Sequence, residues 1–246
     1  MPSYNDEGVV LRTHKLGEAD RIVTILTRGN GRVRAVVKGV RRVGSRFGAS
    51  CEPLSHIDVQ LYEGRNLDRM TQAVIRRSYG TELAGDYPDW TAAIALAEVA
   101  ERLTPVEREA NLQQYLLLIG ALRAICDDRR DANLVLDAFV LRSMAVAGWS
   151  ASFHDCARCG AAGPWRSFQL ASGGSVCDAC RQYGATTPRP QTVALLGALL
   201  SGDWDEATTA GPQVRSEASG LVAAFLQWHS ERGLRSWPLV ERAGSV

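Results

Sequence analysis

No run of eighteen apolar residues occurs in the chain, so no membrane-spanning helix is expected. Its first residues, MPSYNDEGVV, lack a basic segment followed by an apolar core, so no secretory signal is expected and the cytosol is the default address. There is no G-x-x-x-x-G-K-[ST], and neither lysine, Lys15 nor Lys38, follows a glycine, so no phosphate-gripping loop of that kind is present. G-x-S-x-G, H-E-x-x-H and G-x-G-x-x-G are also missing. His14, His56, His154 and His229 are scattered, and none has a triad-like local context. Catalytic groups can converge from distant positions. Even so, these absences favour a binding protein over an enzyme.

What is present begins with size and charge. A chain of 246 residues, 46% hydrophobic and 22% charged, has room for one large or two modest domains with a buried core. The net charge of +1 hides an asymmetry. Residues 1–80 carry an excess of six positive charges and residues 81–246 an excess of five negative ones. That split argues for two regions with different tasks. The positive charge concentrates in Gly31–Arg46, GRVRAVVKGVRRVGSR, which holds Arg32, Arg34, Lys38, Arg41, Arg42 and Arg46 and no acid. It starts as an alternating strand and ends as a glycine- and serine-bearing loop. Basic side chains along one edge match the charge spacing of a polyanion and release its counterions. An edge strand guarded against aggregation also carries charges, but one or two suffice.

Alternating apolar residues predict five strands in the first 80 residues: Gly8–Thr13, Ile22–Leu26, Arg32–Lys38, His56–Tyr62 and Leu67–Ile75. Arg28-Gly29-Asn30-Gly31 reads as the turn of a hairpin over residues 22–38. Five short strands suit a small closed barrel, and the five-stranded barrel that commonly binds oligonucleotides is the OB-fold. From about residue 81 the period becomes helical, with stripes at Trp90–Leu103, at Leu112, Tyr115, Leu116, Ile119, Leu122 and Cys126 in a helix over about 107–126, and at Leu134, Ala138, Leu141 and Ala145 after Asp131. A short helix at Val193–Leu200 and a longer one after Gly211-Pro212, bearing Leu221, Ala224, Phe225 and Trp228, complete five. Their aromatics are expected to pack a bundle core rather than line a cofactor pocket. The fold class expected is therefore α+β: an OB-fold barrel over 1–80, then a helical domain over 81–246. Residues 241–246 are expected to fray.

Cys156-x-x-Cys159 and Cys177-x-x-Cys180, with seventeen residues between the pairs, fit the spacing of a tetrathiolate zinc site. Two residues between cysteines let both sulfurs of a tight turn face one ion, and two such turns close a tetrahedral shell. Disulfides are disfavoured in the cytosol, and a redox pair is usually a single C-x-x-C beside a βαβ unit. One structural zinc in an insert at about 151–185 is expected, because four protein ligands leave no open position. His154 reads as a bystander, and Cys51 and Cys126 as small apolar residues.

With these parts in order, the sequence resembles the bacterial RecO family of recombination mediators. The resemblance is carried by Gly8-Val9-Val10-Leu11, by Gly17-Glu18-Ala19-Asp20-Arg21-Ile22, by Gly31, and by Val37-Lys38-Gly39-Val40-Arg41-Arg42. The four cysteines match its zinc-bearing members. The resemblance implies binding of single- and double-stranded DNA, annealing of complementary strands, and work with the partner RecR to load the RecA recombinase onto DNA coated by single-strand-binding protein. It also implies contact of the helical domain with that coat protein's acidic, apolar tail. Neither a nucleotide cofactor nor a membrane is implied, and the location would be cytoplasmic, with the nucleoid.

A DNA face of Arg12, Lys15, Arg28, Arg32, Arg34, Lys38, Arg41, Arg42 and Arg46 would ease the repulsion between two backbones. Tyr4, Phe47, Tyr62 and Tyr79 are the only aromatics of the barrel region, so base stacking is expected to contribute little there. Two other readings stay open from residues alone: an OB-plus-zinc-ribbon RNA-binding or transcription factor, and a nucleic-acid enzyme whose carboxylates converge in space.

Overall fold

The structure, a computed structural model, describes residues 2–230 and 233–240. The chain forms two compact units, Met1–Arg130 and Asp131–Val246. The change from strand to helix falls near residue 80, where the sequence places a domain boundary. By packing, however, the first unit continues through three helices.

In the first unit, strands β1 (Ser3–Leu16), β2 (Asp20–Thr27), β3 (Gly31–Val37), β4 (Ser55–Tyr62) and β5 (Asp68–Ser78) close a barrel in the order β1-β2-β3-β5-β4. Each is one of the five expected strands. Every pairing is antiparallel except the β3–β5 closure, where Ala35 faces Asp68 and Val36 faces Arg69 in parallel. The long β1 closes the other side: it pairs with β4 along residues 3–9 and with β2 along residues 8–16, across an irregularity between Val10 and Arg12. Such an irregularity bends a strand. Alternation sends Val23, Ile25, Val33, Ala35, Val37, Ile57, Val59 and Leu61 into the barrel, and Val40, Phe47 and Cys51 from the β3–β4 loop join the same core.

Helix α1 (Tyr79–Leu83) follows β5 directly. Helix α2 (Tyr87–Arg102) starts at Asp86, whose carboxylate accepts from Asp89 N–H, and ends before Thr104-Pro105. Helix α3 (Leu112–Cys126) begins later than the expected residue 107, because Asn111 is its N-cap and Arg108 is left-handed (φ 61°). Residues 105–111 form instead a strap across β3. Arg108 N–H donates to Arg32 O at 2.9 Å, and a Cβ on Gly31 would lie 1.8 Å from Glu109 O, so the strap passes where only glycine fits. Arg108 also ion-pairs with Glu63 at 2.8 Å and with buried Asp68. On α3 the buried face is Tyr115, Leu118, Ile119, Leu122 and Ile125, while Leu112 and Leu116 of the expected stripe are exposed.

In the second unit, α4 (Ala132–Val146) is capped by Asp131, which accepts from Asn133 and Leu134 N–H. The cysteine segment follows, with a two-stranded β6 (Ser167–Gln169) and β7 (Gly174–Val176). Then come α5 (Pro190–Ser201), α6 (Trp204–Thr209) and α7 (Pro212–Ser230). Helices α4, α5 and α7 pack on one another. The short α1 and α6 are additional to the five helices expected. On α7 the buried apolar residues are Ala218, Val222, Phe225 and Leu226, a face rotated from the expected one, so Trp228 stands 57% exposed rather than in the core. Trp90 on α2 is likewise partly exposed. The fraying expected for residues 241–246 lies outside the described residues. No helix among the described residues is long and apolar enough to cross a membrane.

Candidate nucleic-acid interface and candidate metal centre

Within the basic stretch, the strand half and the loop half have different partners. Arg32 is only 9% exposed. Its guanidinium donates to Thr104 O and Pro105 O, both at 2.6 Å, and approaches Glu107 Oε1 at 3.4 Å. Arg34 Nε donates to the same Glu107 oxygen at 2.5 Å. Two charges expected on the DNA face thus fasten the strap to the barrel, and Arg32 in particular is unavailable to a polyanion. Arg12 is paired with Glu101 at 2.7 Å and Arg28 with Glu7 at 3.0 Å. The β2–β3 turn beside Arg28 is already served by a carboxylate of its own: Asp6 accepts from Gly29 N–H, Asn30 N–H and the Asn30 side chain. That end of the barrel offers a phosphate little.

The other five expected residues, Lys15, Lys38, Arg41, Arg42 and Arg46, are exposed and have no carboxylate partner among the described residues. The fold gathers them at the opposite end. Lys15 is next to last in β1 and Lys38 follows β3, and both strands flank the start of β2. The β3–β4 loop is pinned to the β1–β2 hairpin: Arg41 donates to Glu18 O at 2.9 Å, Arg41 N–H to Ala19 O at 2.9 Å, and Gly39 N–H to Asp20 Oδ1 at 2.7 Å. Arg46 donates to Thr71 O on β5 at 3.0 Å and lies over the Phe47 ring. The loop is therefore held in place while its cationic heads remain in solvent.

Arg69 lies outside the expected DNA face. It is exposed, and pairing in the closed sheet sets it opposite Val36 on one side and Tyr62 on the other. Tyr62 is itself 44% exposed. Only the parallel β3–β5 closure makes these residues neighbours of the basic stretch, and no local pattern announces it.

Cysteines 156, 159, 177 and 180 converge, with all four sulfurs within 4.8 Å of one another. Cys159 and Cys177 Sγ are 3.7 Å apart, where sulfurs at tetrahedral corners around zinc stand about 3.8 Å apart. Cys177 N–H donates to Cys156 Sγ at 3.3 Å, and this donation draws the Cys156 thiol down to about 6. Cys180, among the thiols of Cys177 and Cys159, is pushed up. A cation placed among the four sulfurs would ionise all of them, Cys180 included. The donor set fits a closed tetrathiolate site, compatible with zinc. His154 lies outside it, with its ring against Gly197 of α5. Cys51 is fully buried in the barrel core, where burial pushes its thiol up to about 11; it is a small apolar filler there.

A closed five-stranded barrel with a cationic loop end, followed by helices and a four-cysteine segment, is the build of a nucleic-acid-binding protein. Comparison with known proteins identifies which. Residues 1–79 match the family described as "Recombination protein O N terminal" and residues 84–238 the family described as "Recombination protein O C terminal". The chain is 54% identical over 243 residues to the DNA repair protein RecO of Thermobifida fusca, covering 99% of this chain and all of that one. It is 54% identical over 248 residues to the DNA repair protein RecO of Streptomyces coelicolor, covering 98% of this chain and all of that one. The chain belongs to the RecO family.

Proposed function

We propose that this chain is a DNA-binding recombination mediator of the cytoplasm. It would hold single and double strands by their phosphates at the loop end of the barrel and anneal complementary strands. With RecR it would help load recombinase onto DNA coated by single-strand-binding protein, whose tail its helical part would engage. The observation that carries this reading is the gathering of Lys15, Lys38, Arg41, Arg42 and Arg46 at one end of the barrel with no carboxylate on any of them among the described residues. Such an end can neutralise two backbones at once, needs no nucleotide hydrolysis, and reads no base sequence. Arg69 and Tyr62 extend the surface. Four to six neutralised phosphates give a slope of about −3 to −4 in log affinity against log salt for single strands.

The four cysteines would hold one structural zinc through Cys156, Cys159, Cys177 and Cys180. The ion would cross-link two turns of a segment with little core of its own. Replacing Cys177 and Cys180 with serine is expected to give metal-free, poorly soluble protein; a soluble double variant with unchanged metal content and unfolding would refute the assignment.

Strand annealing tests the main reading. Two complementary oligonucleotides, each coated with single-strand-binding protein, are mixed with and without the chain and without ATP. Acceleration that disappears in Arg41→Glu/Arg42→Glu is expected. No acceleration despite intact DNA binding would refute the mediator reading, and tighter binding of RNA than of DNA of equal length would replace it with RNA recognition.

A further inference from the structure

The barrel has few aromatics to stack on bases, but the cysteine segment has them, interleaved with free arginines. Between α4 and α5 it carries Arg158, Arg166, Arg181 and Arg189 against Asp155 and Asp178, an excess of positive charge in an otherwise acidic half of the chain. Arg166 and Arg181 are exposed and have no side-chain partner among the described residues. Tyr183, two residues past Arg181, is fully exposed. The segment also encloses, against the start of α5, a cavity of about 530 Å³ lined by Phe153, Asp155, Trp165, Arg166, Pro190 and Val193 among others.

Trp165 is built as a fixed platform. Its indole N–H donates to Ala161 O at 2.9 Å, and its ring packs against the cluster of Cys156, Val176 and Cys177 while still lining the cavity. Flat apolar walls from Trp165, Phe153 and Pro190 suit a planar ring. The Asp155 carboxylate, without a side-chain partner among the described residues, can accept from the amino or imino N–H of a base, and Arg166 can hold the phosphate outside. Asp155 also discriminates: it would repel the carboxylate of an acidic peptide entering the same space. The N-terminus of α5 adds no anion site, because Glu217 already accepts there from Arg189 N–H and the Thr192 hydroxyl.

We propose that this cavity takes one unstacked base of a single strand, with Trp165 stacking on it and Arg166 on its phosphate, as a second DNA contact that supplies the stacking the barrel lacks. The proposal rests on the reading of the chain as a DNA binder, and the following test separates the two.

The affinity of the full, metal-loaded chain is measured for oligo(dC) and for an abasic oligomer of equal length and charge. Wild type is expected to prefer oligo(dC) by about tenfold. Trp165→Leu, which keeps apolar bulk on the cysteine cluster, should lower that preference to about one without changing affinity for the abasic oligomer. Trp165→Phe should keep most of it, and Arg166→Glu should weaken it, because a phosphate is brought to Arg166 only when its base is seated in the cavity. Should Trp165→Leu lose its metal, Arg166→Glu decides alone. By contrast, Arg41→Glu/Arg42→Glu should weaken both oligomers equally. An unchanged preference in the cavity variants, with the barrel variant impaired, overturns this proposal and leaves the barrel reading standing. Loss of peptide binding in Trp165→Leu with both DNA affinities intact overturns it in favour of a peptide pocket. No binding of either oligomer by wild type overturns both.

Discussion

Arg32 and Arg42 stand ten positions apart in one acid-free stretch and look alike in sequence, yet the fold gives them different work. Arg32 is buried under the strap, with two carbonyls and Glu107 around its guanidinium. Arg42 is exposed in the β3–β4 loop and has no side-chain partner among the described residues. The same contrast separates the two ends of the barrel. At one end Arg28 and the β2–β3 turn are answered by Glu7 and Asp6; at the other, cations face solvent. A positive charge is available to DNA only when no neighbour in space has claimed it, and a claim can come from any distance along the chain.

The comparison predicts its largest effect at Arg32. Arg32→Ala leaves buried carbonyls and Glu107 without their donor, so chemical unfolding should show a loss of about 2–4 kcal/mol. Arg42→Ala should change stability by less than about 0.5 kcal/mol and weaken DNA binding instead. Equal stability losses in the two variants would break the contrast.

A smaller and more pointed test is Glu107→Gln. It removes the carboxylate facing Arg34 and Arg32, with both Glu107 and Arg34 partly exposed. A stability loss of about 1 kcal/mol is expected, accompanied by a rise of a few-fold in affinity for single strands as Arg34 is released. Falling affinity would mean that the strap itself takes part in DNA binding.

The smallest effect is in pH. Buried His56 shares a 3.0 Å hydrogen bond with Tyr115, and burial holds its imidazole below the usual 6.5. The unfolded chain then binds the proton more readily than the folded one. Stability is therefore full above that ordinary value and falls as the pH drops through it. His56→Gln should flatten this part of the profile. The salt slope of DNA binding by folded protein should stay constant while the unfolding midpoint moves.

Much of this was legible in the residues because it is local. The five strands follow from alternation of period two, the hairpin from Arg28-Gly29-Asn30-Gly31, and the start of α4 from the Asp131 cap. The cysteine cluster follows from two C-x-x-C turns. The buried face of α7 was misplaced because apolar residues nearly encircle that helix and only its neighbours choose among them, leaving Trp228 outside. The helical pattern starts earlier than α3 does because the strap of residues 105–111 takes its course from contacts on β3 and β5 rather than from its own pattern.

By itself the sequence determined which segments form strands and helices, where the positive charge is concentrated and which thiols can share one ion. Each of these depends on spacings of a few residues, and backbone geometry turns such spacings directly into direction. Tertiary structure alone decided which arginines remain free, that Arg69 and Tyr62 stand beside the basic stretch, and that Trp165 faces a cavity. Those outcomes depend on pairings such as Arg34 with Glu107, 73 residues apart, and Val36 with Arg69 across a parallel closure. Charge and hydrogen bonding act through space, so a guanidinium is committed by whichever carboxylate or carbonyl the fold brings to it.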